Sequence, residues 1–173
     1  MKEILKRLIV LEIKEEGISP KTHSSLPENE KKLLFEKNGR FFVNPEERKK
    51  IRVVATGGVF DIIHLGHIYT LKKANELGDL LVAVVASDKH TSGRKKLAHN
   101  EEERRQLVES VRHVDLAIIG EENKEKTVGR IKPDVIAFGY DQKPEFEGMA
   151  KIVRIESAYK PEVLKSRKIL ENY

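Results

Sequence analysis

From residue 52 onward, short β-branched apolar runs alternate with stretches of helical spacing. Arg52–Thr56 predicts a strand, and His64–Leu77 a helix with Ile68, Leu71, Ala74 and Leu77 turned inward. Asp79–Ser87 contains Leu80-Leu81-Val82-Ala83-Val84-Val85, apolar on both faces as a buried parallel strand requires. Asn100, with Glu103 three positions on, forms a capping box for a helix whose apolar face is Leu107, Val108 and Val111. Leu116–Ile119 predicts a third strand, Lys124–Ile131 a helix and Asp134–Phe138 a fourth strand. Lys151–Ile155 is the expected fifth strand, and Pro161–Asn172 the closing helix. Repeated strand–helix units with short connections predict an α/β domain over residues 51–173, a five-stranded parallel sheet with helices on both faces.

The first fifty residues follow another pattern and predict a separate small module. Lys2–Glu16 has helical spacing through Ile4, Leu5, Leu8 and Leu11 and stops before Gly17. Leu33-Leu34-Phe35 and Phe41-Phe42-Val43 flank Lys37-Asn38-Gly39-Arg40, and Asn-Gly between apolar runs is a strong hairpin signal. A helix followed by a hairpin resembles a shortened winged helix. No second, recognition-type helix is evident between Ser19 and Lys32, so packing is the favoured role over nucleic-acid contact.

Composition narrows the chemistry. The chain has no cysteine, which excludes disulfides, thiolate metal sites and cysteine nucleophiles. No apolar run approaches the ~20 residues of a membrane span, and acidic residues interrupt the N-terminal pattern, unlike a signal peptide. A cytoplasmic location is expected. The net charge of +5 suits anionic ligands, and the 35% of charged residues, rich in Lys and Glu, fits a hot environment.

The chemistry concentrates where the first strand of the second domain ends. Val53-Val54-Ala55-Thr56 runs into Gly57-Gly58, and Val59-Phe60-Asp61-Ile62-Ile63 then leads to His64-Leu65-Gly66-His67. Two glycines let the chain turn sharply and bring backbone N–H groups close to a ligand. Gly66 leaves room beside two histidines spaced i, i+3 at a helix start, where anions are favoured. The arrangement predicts a phosphate site. Two histidines without cysteine or a third ligand argue against zinc.

Gly58-Val59-Phe60-Asp61 and His64-Leu65-Gly66-His67 resemble the signature of the H-x-G-H nucleotidyltransferases, the superfamily of cytidylyltransferases, phosphopantetheine adenylyltransferase and archaeal FAD synthase. The likeness continues through Leu77-Gly78-Asp79, Ser87-Asp88, Glu102-Glu103-Arg104, Val114-Asp115 and Gly139-Tyr140-Asp141-Gln142. The G-Y-D-Q form is most similar to archaeal FAD synthase. The resemblance implies a Rossmann-like fold and transfer of a nucleoside monophosphate from ATP or CTP to a phosphorylated small molecule, FMN first among candidates. It also implies Mg2+ carried on the triphosphate and a homodimer, with neither membrane nor nucleic acid as partner. A cytidylyltransferase acting on a polyol or amino-alcohol phosphate is the alternative, and a nucleotide-sensing DNA-binding regulator a second one.

Carried over position by position, the same resemblance makes His64 and His67 the stabilisers of charge at the α-phosphorus. Lys96, out of Arg94-Lys95-Lys96, becomes the lysine that meets phosphates. Gly58, the Val59 backbone N–H, Leu65 and Gly66 line the nucleotide site, with Phe60 covering it and Asp61 ordering the turn. Tyr140, Asp141 and Gln142 fall where the base is read, while Ser166 and Arg167 are expected on the β- and γ-phosphates. Glu101-Glu102-Glu103-Arg104 is expected to cap and brace its helix, and Arg112-His113-Val114-Asp115 to serve association.

Overall fold

The structure, a computed structural model, describes residues 1–91 and 97–156. The expected closing helix and the site candidates Arg94, Lys95, Lys96, Ser166 and Arg167 lie outside these residues. The chain forms two compact units, residues 1–52 and 53–173.

In the first unit, α1 (Lys2–Glu15) buries Leu5, Leu8, Ile9 and Ile13 along one stripe. Glu12 lies on the same stripe, 5% exposed, and its carboxylate accepts the Val43 N–H at 2.8 Å. The short helices α2 (Pro20–Ser25), with Ser19 as N-cap, and α3 (Glu28–Lys31) follow. Strands β1 (Leu34–Lys37) and β2 (Arg40–Val43) pair antiparallel across Asn38 and Gly39, both at positive φ as a tight hairpin turn demands. Ile18 bridges to Phe41, with both N–H···O bonds near 2.9 Å. One further turn, α4 (Pro45–Arg48), completes the unit. Helix, bridge, two helices and hairpin is the order of a winged helix, so Ser19–Lys32 is more helical than expected. At the recognition position α3 is a single turn whose Glu30 is buried against Arg7.

The second unit is the parallel sheet. Strand β3 (Val53–Gly58) leads through α5 (Leu65–Asn75) to β4 (Leu80–Val85). The one-turn α6 (Asp88–Thr91) and α7 (Glu101–Glu109) lead to β5 (Leu116–Ile119). Helix α8 (Lys124–Ile131), β6 (Val135–Phe138) and β7 (Lys151–Arg154) follow. The strand order is β5-β4-β3-β6-β7, with every pair parallel. The chain winds outward from β3 to β5 and then crosses back to β6, so right-handed crossovers place α5 and α7 on the face opposite α8. Val53, Val54, Leu80, Leu81, Val82 and Leu116 are fully buried, as expected for strands covered on both faces. No helix among the described residues is long and apolar enough to cross a membrane.

Two aspartates close the amino edge of this sheet. Asp134, just before β6, accepts the Val53 N–H at 2.7 Å, and Asp115, just before β5, accepts the Leu81 N–H at 2.7 Å. Asp115 thereby has a role inside its own chain, in a segment expected to serve association. Removing the carboxylate at Asp134 leaves a strand-initial donor unpaired. Asp134→Ala should lower stability by about 1–3 kcal/mol, measured by denaturant unfolding; an unchanged midpoint would show that Val53 finds another acceptor.

Candidate active site

The chain reverses direction between β3 and β6, and ligands in such sheets sit outside the carboxyl ends of the strands at that switch point. Two side chains reinforce the β3–β6 ladder there: the Thr56 hydroxyl donates to the Ala137 carbonyl at 2.9 Å, and the Gln142 amide spans the gap above. Gln142 Nε2 donates to the Gly57 carbonyl at 2.8 Å, and its Oε1 accepts the Gly139 N–H at 2.7 Å. Each end of the Gln142 amide thus makes one backbone bond, and its second N–H and second oxygen lone pair stay available to a base. Asp141 remains exposed beside it.

The turn after β3 is unusual. Phe60 has φ 54, a left-handed conformation that bulky residues seldom adopt, and it is only 5% exposed. Its ring lies over Gly58, where a Cβ would stand 2.9 Å from ring carbons. The ring also meets His67, at 5.4 Å between centroids. The largely buried Phe60 ring is thus packed against Gly58 and His67. Asp61 orders the turn as expected, and its reach is long: the carboxylate accepts the Ala98 and His99 N–H groups near 3.0 Å. Neither the Val59 nor the Phe60 N–H has an acceptor among the described residues. Val59 and Leu65 present exposed aliphatic side chains at the same place.

His64 is the N-cap of α5. Its Nδ1 accepts the Gly66 N–H at 3.1 Å, so the neutral ring carries its proton on Nε2. The His64 and His67 rings are 4.0 Å apart between centroids, tilted by 32°. Burial lowers the pKa of His64. Burial, followed by the neighbouring His64, lowers that of His67 to about 4, against weaker opposing effects of Asp141 and the Ile62 carbonyl. His67 Nδ1 is buried and has no partner of hydrogen-bonding geometry among the described residues. Both rings are neutral at pH 7, so they act there as hydrogen-bond donors and acceptors rather than as cations.

Sequence reasoning missed two arginines. Arg154, at the end of β7, donates to the Tyr140 carbonyl and so ties down the turn that carries Asp141. Arg104 was expected to cap and brace its own helix; its side chain is completely buried and reaches beyond that helix. It donates to Val59 O and Asp88 Oδ1, each at 2.6 Å, and to His99 O at 3.2 Å. Its spacing of four from buried Val108 and seven from half-buried Val111 was the available signal. The rest of the acidic run caps as expected: Glu103 completes the capping box with Asn100, and Glu102 pairs with Arg105.

Residues 55–172 match the family described as Cytidylyltransferase-like. The chain is 42% identical over 139 residues to the FAD synthase of Thermococcus sibiricus (strain DSM 12597 / MM 739), covering 72% of this chain and 93% of that protein. It is 44% identical over 131 residues to the FAD synthase of Ferroglobus placidus (strain DSM 10642 / AEDII12DO), covering 69% of this chain and 86% of that protein. A crystal structure of the lipopolysaccharide core biosynthesis protein from Thermoplasma volcanium GSS1 superposes with a TM-score of 0.58 at 41% identity, covering 63% of this chain and 98% of that one. The chain thus belongs to the cytidylyltransferase-like family and is a nucleotidyltransferase. The match begins at residue 55, so the first unit lies outside it.

The depressed pKa of His67 has a consequence with a definite sign. An unfolded imidazole takes up a proton near pH 6.5, whereas folded His67 resists protonation until about 4. Between these values the unfolded chain binds more protons. The stability associated with neutral His67 is present above about pH 6.5 and is lost as the pH falls toward 4. The melting temperature of the wild type relative to His67→Gln should therefore drop as pH is lowered from 7 to 4; a pH-independent difference would contradict neutral burial.

Proposed function

We propose that this chain is an FAD synthase acting in the cytoplasm, transferring AMP from ATP to FMN with release of pyrophosphate. The observation that carries this reading is the neutral His64–His67 pair beside the partnerless Val59 and Phe60 amides, in a chain whose relatives are FAD synthases. An FMN phosphate oxygen attacks the α-phosphorus in line. The bond from that phosphorus to its bridging oxygen breaks, and pyrophosphate leaves with the electron pair. The nucleophile is already an anion, so no general base is needed, and catalysis rests on positioning and charge stabilisation. His64 offers its Nε2–H and the turn offers its amides to the oxygens on which charge grows. Magnesium arrives as part of the substrate, bound to the triphosphate. Asp141, exposed at the carboxyl end of β6 and close enough to influence His67, reads the adenine amino group.

Pyrophosphate release with each of the four nucleoside triphosphates, with FMN or a set of alcohol phosphates as acceptor, tests the assignment. The expected result is FAD from ATP and FMN. The His64→Ala and His67→Ala variants should each lose about 100-fold or more in turnover, the usual cost of removing a preorganised donor, while remaining folded by circular dichroism. Turnover with CTP and a polyol phosphate, and none with FMN, would overturn the assignment.

A further inference from the structure

Arg104 has no evident reason to be an arginine from its own helix. It occupies the inward stripe of α7, four residues before Val108, where an aliphatic side chain would pack without desolvating a charge. Burying a guanidinium costs several kcal/mol unless its N–H groups are satisfied. Here each of the three nitrogens has an acceptor, and the acceptors come from three different places. Val59 belongs to the turn after β3, Asp88 opens α6, and His99 precedes the Asn100 cap of α7. Asp88 is itself locked reciprocally to Glu101: its N–H donates to the Glu101 carboxylate at 2.6 Å, and its own carboxylate accepts the Glu101 N–H at 3.2 Å. The guanidinium is therefore held in a fixed place, bound on one side to α6 and α7.

What it holds on the other side is one peptide plane. A trans peptide is planar, with C=O and N–H pointing in opposite directions. No peptide of the described residues is cis. Pinning the Val59 carbonyl at 2.6 Å on the buried guanidinium therefore sends the Phe60 N–H the opposite way, out of the interior. That N–H has no acceptor among the described residues, and the residue carrying it sits in the strained conformation at φ 54. Without the guanidinium, the Val59–Phe60 peptide is free to rotate toward an ordinary turn and swing its N–H away.

We propose that Arg104 is a positioning residue for nucleotidyl transfer, fixing the Val59–Phe60 peptide so that the Phe60 N–H is presented to the phosphate oxygens of the triphosphate. The proposal rests on the reading that this site binds a nucleoside triphosphate. The Arg104 side chain never touches the substrate; it acts through the backbone it orients. Lysine cannot substitute, because one ammonium on a flexible stem does not reproduce the fork that bonds three separated acceptors.

Arg104→Lys, with FAD formation, affinity for the magnesium complex of a non-hydrolysable ATP analogue and melting temperature measured together, tests this role. The expected turnover is about 10–100-fold lower, the loss of an aimed backbone donor, with analogue affinity changed less than about threefold. Wild-type turnover in folded Arg104→Lys overturns the proposal, as does a loss of turnover that only tracks the folded fraction.

Amide NMR of the wild-type chain gives a second measurement that does not depend on how the variants fold. Adding the same analogue should shift the Phe60 N–H resonance downfield along with the His64 and His67 ring signals. Histidine shifts without a Phe60 shift contradict the role of Arg104 and leave triphosphate binding intact. No shift anywhere removes triphosphate binding and the proposal with it.

Discussion

The site is organised around one strained residue. Phe60 is large and sits at positive φ, a conformation that costs on the order of 1–3 kcal/mol and persists only when its surroundings enforce it. Three features enforce it here. Gly58 lacks the Cβ that would strike the Phe60 ring, Arg104 holds the carbonyl on one side of the turn, and Asp61 anchors the other to Ala98 and His99. The result is a chain that leaves a buried strand, folds its aromatic ring beneath itself and enters α5 with His64 as cap. His67 is thereby set against the ring, buried enough to stay neutral.

Neutral imidazoles suit a substrate that brings its own counter-ion. In the proposed reaction magnesium offsets the charge of the triphosphate, and the protein supplies directed donors whose orientation is set before the substrate binds. The sheet makes this rigid. β3 is fixed at its amino end by Asp134 and at its carboxyl end by Thr56 and Gln142, so the turn projects from a strand that has little freedom to shift. Polar side chains in this unit act chiefly as struts: Asp115, Asp134, Gln142 and Arg104 all spend hydrogen bonds on backbone near the ends of strands.

The architecture was readable in the sequence because its signals are local. Two-sided apolar runs such as Leu80–Val85, the Asn100–Glu103 capping box and the Asn38-Gly39 turn each identify an element without knowledge of its neighbours. His64, His67 and Asp61 were readable for the same reason, as a motif at fixed spacing. The partnerships across sequence were not. That the Gln142 amide joins Gly57 to Gly139, 85 and three residues away, has no signal in the local sequence. Arg104 looks like part of an acidic surface turn until its acceptors, one of them 45 residues distant, are in place. The burial of the Phe60 ring was not legible either, because it follows from a positive φ and spacing alone does not reveal backbone handedness. The single-turn α2 and α3 were missed in a stretch too short to display a period.

Nitrogen NMR of the histidine rings reaches the central claim most directly. If His64 and His67 form a preset neutral donor pair, His64 shows the Nε2–H tautomer at pH 7 and His67 stays neutral until about pH 4. Both rings should respond when the magnesium complex of a non-hydrolysable ATP analogue is added. A protonated His67 at pH 7, a His64 proton on Nδ1, or ring signals indifferent to the analogue would contradict the account.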